Sequence, residues 1–115
     1  MIDEATIVRA VELLREAAPG ATIILFGSYA RGDAGEDSDL DFLVIEPDLR
    51  DRWAEMVRLR GVLRPLRIPA DVLVASRKTF EYWAETPGSV YCEASLEGKS
   101  FEAVSRTTDP ACTQY

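Results

Sequence analysis

Three short apolar runs constrain the fold of this chain most. Residues 22–26 are an uninterrupted Thr, Ile, Ile, Leu and Phe, the pattern of a strand buried on both faces. Residues 39–45 begin by alternating Asp39 and Asp41 with apolar neighbours and end wholly apolar, as in a strand exposed at its start and buried at its end. Residues 70–75 set Asp71, Leu73 and Ala75 against Val72 and Val74. Helical patterns fill the intervals. In residues 3–18, Ile7, Val11, Leu14 and Ala18 recur at helical spacing behind an Asp3 N-cap, Arg9, Glu12 and Glu16 face the other way, and Pro19 and Gly20 end the run. A short helical turn at residues 29–31 and a polar loop at 32–38 follow the first strand. Asp48 or Asp51 caps a second long helix, which expects Trp53, Met56, Val57 and Leu63 on its buried face, Arg50, Arg52, Arg58 and Arg64 on its outer face, and Pro65 at its exit. Ser76 caps a third helix with Phe80 and Trp83 inward, broken at Pro87 and Gly88. Residues 89–97 read as one more, ended by Gly98, and residues 99–104 as a short edge strand. This alternation predicts one sheet covered by helices, in place of a sandwich or a bundle.

The length of 115 residues suits a single domain, expected over residues 1–104. Residues 105–115 are polar and aperiodic, and are expected to form a flexible tail. No run approaches the roughly 18 apolar residues of a membrane span, and the acidic start lacks the basic region of a signal peptide, so the expected compartment is the cytoplasm. Twenty acidic residues against thirteen basic ones give a formal charge of −7, the wrong sign for gripping a nucleic-acid backbone, and no direct nucleic-acid binding is expected. The chain has no histidine and two cysteines, Cys92 and Cys112, which removes the usual zinc sites and every histidine-dependent catalytic arrangement. Cys92 is expected in the core. Chemistry must then rest on carboxylates, hydroxyls, arginines or a metal held by oxygen.

The acids are concentrated. Seven lie in residues 33–48 with no lysine or arginine among them, while six of the thirteen bases fall in residues 50–67. Asp39 and Asp41, two apart on an expected strand, leave the same face with β-carbons about 7 Å apart. Such a pair repels itself unless it shares a divalent cation, and magnesium is commonly held by one or two carboxylates together with nucleotide phosphates. Gly27 and Ser28, directly after the first strand, supply what a triphosphate needs: close backbone approach, a hydroxyl and unpaired N–H groups. Asp71, opening the third strand, is placed to complete a two-metal site. On its own an Asp-x-Asp pair is more often a solvated strand edge. Asp71 could instead bridge to Arg67, and Arg31 to Asp33 or Glu36.

Gly27, Ser28, Ala30, Arg31 and Gly32, followed by Ser38, Asp39, Asp41 and Val44, form a long and specific pattern. It resembles the signature of the minimal nucleotidyltransferase (MNT) domains in the DNA polymerase β-like nucleotidyltransferase superfamily. The resemblance implies an α+β nucleotidyltransferase fold, a small mixed β-sheet flanked by helices. It also implies ATP as substrate, two Mg2+ ions, and transfer of a nucleoside monophosphate with release of pyrophosphate. Carried over by position, Asp39, Asp41 and Asp71 are metal ligands and catalytic, with Asp71 as base. Gly27 and Ser28 hold the triphosphate, and Arg31 meets phosphate or partner.

Small MNT proteins are similar to antitoxins of HEPN/MNT toxin–antitoxin pairs, which add AMP to a tyrosine of a HEPN-domain ribonuclease. The resemblance thus implies a HEPN partner in a hetero-oligomer. Two other readings stay open: transfer to a small-molecule hydroxyl, for which the chain has no room for an added substrate domain, and an antitoxin that masks its toxin by binding alone.

Overall fold

The computed structural model describes residues 2–102. Four strands and five helices follow in the order α1 (Glu4–Ala17), β1 (Thr22–Phe26), α2 (Ser28–Arg31), β2 (Leu40–Glu46), α3 (Arg52–Leu63), β3 (Ala70–Ser76), α4 (Arg77–Trp83), α5 (Val90–Glu97) and β4 (Lys99–Glu102), with a 3-10 turn at Arg64–Leu66 after α3. Side-chain caps start the four longer helices. Asp3 accepts from the Thr6 N–H at 2.9 Å, Asp51 from Ala54 at 3.1 Å, Ser76 from Thr79 at 3.1 Å and Ser89 from Cys92 at 3.0 Å. Each cap contributes about 1 kcal/mol. The expected tail at residues 105–115, with Cys112, and the last two positions of the edge strand lie outside the described residues. No helix among the described residues is long and apolar enough to cross a membrane.

The sheet order is β3-β2-β1-β4. β1 runs antiparallel to β2 and β4, and β2 runs parallel to β3, so the sheet is mixed. A parallel pair needs a crossover, and α3 supplies it. Strand alternation divides the core in two. Ile23, Leu25, Leu40, Phe42, Val44, Val72 and Val74 pack against α1 and α3, through Val11, Leu14, Met56 and Leu59. Ile24, Phe26, Leu43, Ile45 and Ala75 meet Ala94 of α5 and Phe80 of α4 on the other face. Gly98 lets α5 press onto β1: a β-carbon there would run into the Ile24 Cγ2 and the Ala94 carbonyl oxygen.

The burial expected for α3 needs correction. Met56, Leu59 and Leu63 form its inner line, whereas Trp53 is 69% and Val57 56% exposed. At about 100° per residue, Val57 points roughly 160° away from Leu59, and Trp53 lies some 120° from it. Trp83, expected inward, is 43% exposed at the end of the short α4, stacked edge-to-face on the exposed Tyr82 at 5.0 Å. Phe80 alone turns in, with its ring 6.4 Å from Tyr91. Cys92 is half-buried and does not belong to the core. The arginines of α3 are also less idle than an outer face suggests. Arg52 donates to the Val74 carbonyl at 2.8 Å, occupying the free edge of β3, and Arg58 donates to the Ala17 carbonyl at 2.8 Å, joining α3 to the end of α1.

Candidate active site

The register of the sheet assembles the site. Asp41 stands opposite Phe26 across the antiparallel pair and opposite Asp71 across the parallel pair, so β1, β2 and β3 converge at Gly27, Asp41 and Asp71. Asp41 and Asp71 share the face that α4 and α5 cover. β2 begins at Leu40, which leaves Asp39 exposed in the loop immediately before it. Asp39, expected as the first residue of that strand, therefore enters the site from the loop, one position before the strand and its pairing begin.

Gly27 is built for close approach. Its φ of 79° and ψ of −156° fall in a region that side chains disfavour, and a β-carbon there would collide with the Asp41 Oδ2 and stand 3.3 Å from its Cγ. The Gly27 carbonyl accepts from Ala30 and Arg31, and the Ser28 carbonyl accepts from Gly32 and Asp33, at 2.9–3.1 Å, which folds the motif into one tight turn.

Asp41 is half-buried, and its carboxyl is pushed above the usual carboxylate range. Burial contributes most, followed by the negative charges of Asp71, Asp39 and Glu93, with Arg31 opposing them. Glu93, on α5, is a site residue the motif did not reveal. Its Oε1 lies 3.7 Å from Arg31 Nη1, while Arg31 Nε donates to Asp33 at 3.2 Å. Arg31 thus spans α2, the following loop and α5. The bridge anticipated to Asp33 is present, and Glu93 takes the place of Glu36.

Asp71 pairs with Arg60 at 2.5 Å, not with Arg67. That pairing draws Asp71 towards α3. Among the described residues, no three acid, cysteine or histidine side chains converge as a ready metal cluster. The donor set nevertheless suits a hard cation. It consists of carboxylate oxygens, the charges of Asp39 and Asp71 fall on Asp41, and the glycine cradle keeps the adjoining space free of side chain. Asp39 and Asp41 are the pair that could hold such a cation, while Asp71 is held by Arg60.

A nucleotidyltransferase domain family model matches residues 7–86. The chain belongs to that family. The matched span runs from α1 past the end of α4 and holds the whole Gly27 to Asp71 constellation. Among solved structures, a toxin–antitoxin with AMP-PNP is 27% identical, with a TM-score of 0.54 over 86% of this chain and 72% of that one. A tyrosine-to-alanine mutant of the toxin–antitoxin MntA-HpeT is also 27% identical, with a TM-score of 0.51 over 90% of this chain and 75% of the other. No curated protein matches. The nucleotidyltransferase fold predicted from the residues 27–44 pattern is the fold observed. Its mixed sheet brings together the carboxylates that chain order separates by about thirty positions.

Proposed function

We propose that this nucleotidyltransferase is the antitoxin of a toxin–antitoxin pair and that it transfers AMP from ATP to a tyrosine hydroxyl of a HEPN-domain ribonuclease, silencing it. The observation that carries the reading is the register of Asp41 opposite Asp71 beside the Gly27 turn, within a fold similar to toxin–antitoxin structures, one of them with AMP-PNP.

Asp39 and Asp41 are the residues to hold Mg2+, with Asp71 as the third ligand. When bound, two such ions neutralise phosphate charge and favour in-line displacement at the α-phosphorus. Gly27 and Ser28 receive the triphosphate where the backbone is bare, and Arg31 offsets its charge at the rim. Asp71 accepts the proton of the tyrosine hydroxyl as the phenolic oxygen bonds to the α-phosphorus. The bond from that phosphorus to the bridging oxygen breaks, and pyrophosphate leaves. The raised Asp41 carboxyl accords with this role, because crowded acids gain most from a cation. We place the reaction in the cytoplasm and assign no nucleic-acid contact to this chain.

The test is transfer of label from α-labelled ATP to the cognate HEPN-domain protein in the presence of Mg2+. Wild type is expected to label it, and the Asp39→Asn, Asp41→Asn double variant to lose at least about 1,000-fold in rate. The folded variant should melt no lower than metal-free wild type, since two mutually repelling charges are gone. Unlabelled partner with wild type, or full neutralisation of the toxin by the double variant, overturns covalent transfer. Label appearing in a small-molecule pool in place of the partner redirects the activity.

A further inference from the structure

Arg31 stands among acids of two kinds. Its backbone is fixed at the end of α2, where Gly32 turns at a φ of 88°, and its Nε donates to Asp33 in the following loop at 3.2 Å. Glu93 approaches from α5 and lies 3.7 Å from Nη1, longer than a hydrogen bond but close enough for charge attraction. Asp33 and Glu93 flank the site. Asp41 lies within it, and there the guanidinium acts as a nearby opposing charge.

The signature around residues 27–44 does not call for Glu93, which lies on α5 beyond the family match at residues 7–86. That helix is braced by contacts of its own. The Ser89 side chain accepts from the Cys92 N–H at 3.0 Å and donates to the Trp83 carbonyl at 2.9 Å. Ala94, next to Glu93, is buried against the sheet, and Gly98 permits close approach to Ile24. A carboxylate on so braced a helix can restrain a long arginine side chain. Arg60 supplies the contrast: among the described residues it has no second acid, and it lies directly on Asp71 at 2.5 Å. A guanidinium seated on Asp41 in the same way would neutralise a carboxylate proposed to hold the cation.

We infer that Glu93 is a positioning residue, which draws the Arg31 guanidinium to the rim and off the Asp41 carboxylate, so that Arg31 meets the phosphates of ATP. This rests on the proposed ATP site and adds what holds its arginine in place.

The experiment measures Kd for a non-hydrolysable ATP analogue with Mg2+ in the absence of partner, together with KM for ATP, kcat for transfer and melting temperature. The variants are Glu93→Gln, Glu93→Asp, Arg31→Met, and Glu93→Gln with Arg31→Met. Glu12→Gln is the control, because it removes the acid of a similarly exposed pair with Arg9 on α1. Glu93→Gln is expected to raise Kd and KM about threefold, the scale of one exposed ion pair, with kcat within about twofold of wild type and an unchanged melting temperature. Glu93→Asp keeps the charge and should recover part of the loss. In the Arg31→Met background, Glu93→Gln should change Kd by less than about 1.5-fold, because no guanidinium remains to be positioned. Equal losses in both backgrounds would mean that Glu93 acts without Arg31 and would overturn the proposal. So would unchanged or tighter binding by Glu93→Gln, the same loss in Glu12→Gln, no analogue binding by wild type, or a kcat loss of about 100-fold at wild-type Kd, which would make Glu93 an acid–base catalyst. Coupling of Glu93 to Arg31 in analogue binding, without label transfer to the HEPN-domain protein, would sustain the positioning role while refuting the transferase reading.

Discussion

Strand β2 gathers carboxylates near both its ends, and the two groups treat their repulsion differently. At the far end Glu46 faces Glu55 of α3, and Arg58 grips Glu55 with two hydrogen bonds of 2.6 and 2.9 Å. Glu46 Oε2 is sealed from solvent and has no hydrogen-bond donor among the described residues. A proton resolves this: Glu46 is pushed up to about 7, mainly by burial, and donates to Glu55, which Arg58 and Glu46 hold down at about 2. At the near end Asp41 has Asp71, Asp39 and Glu93 around it, and the arginines nearby are drawn aside, Arg31 to Asp33 and Glu93, Arg60 to Asp71. One end is closed by a proton and an arginine within the fold. The other leaves its acids without such a seal, and in the proposed function that charge is what a substrate-borne cation would meet.

The largest expected effect comes from closing the near end sterically. Gly27→Ala adds a methyl that meets the Asp41 carboxylate and adopts a backbone conformation that costs about 1–3 kcal/mol outside glycine. Transfer activity is expected to fall at least about 100-fold, with a stability loss of roughly 2 kcal/mol in denaturant titration. Gly20→Ala is the control, because Gly20 also has a positive φ of 86° but nothing stands within 4 Å of an added carbon. It should lose stability while retaining activity. Equal activity loss in both would mean that Gly27 matters to the fold alone.

The next effect sharpens the far end. Glu46 is raised above its ordinary value of 4.5, so the folded state holds an extra proton between about pH 4.5 and 7, and stability falls as pH rises through that window. Glu55 is lowered, so its contribution is present above about 4.5 and disappears as pH falls towards 2. Glu46→Gln keeps a donor to Glu55 that never ionises. The variant is expected to match wild type at pH 4.5 and to exceed it at pH 8 by about 1 kcal/mol, the solvent-facing part of the cluster screening the remainder. Parallel stability curves across pH would show that Glu46 and Glu55 do not share a proton.

Local chemistry made much of this readable in advance. Asp3 and Ser76 cap the helices they were expected to cap, and the three apolar runs are β1, β2 and β3, because caps and alternation depend on neighbours in the chain. The face of α3 was not readable in the same way. Trp53 and Val57 are as apolar as Met56, and only packing against α1 and the sheet selects the Met56, Leu59, Leu63 line. The motif also located Gly27, Asp39 and Asp41, whose spacing is local. Glu93 and Arg60 escaped it because each reaches the site through tertiary placement, α5 across β1 and α3 along β3. A helix capped by Ser89, with Glu93 in its first turn and Gly98 allowing contact with the sheet, was the available signal for the former.

The smallest effect concerns Arg60, the residue that makes the near end resemble the far one. Its bridge to Asp71 joins side chains 43% and 49% exposed, so it contributes only about 0.5 kcal/mol to stability. Arg60→Met keeps most of the aliphatic stem and releases Asp71. Melting should scarcely change. If Arg60 only occupies the place a cation takes, the Mg2+ concentration for half-maximal AMP transfer should fall by about twofold, the factor that 0.5 kcal/mol represents. A rise in that concentration, together with a higher KM for ATP, would assign Arg60 to phosphate binding. The contrast between the ends of β2 would then lie in what each arginine is for: Arg58 stabilises a pair of acids, and Arg60 awaits substrate beside one.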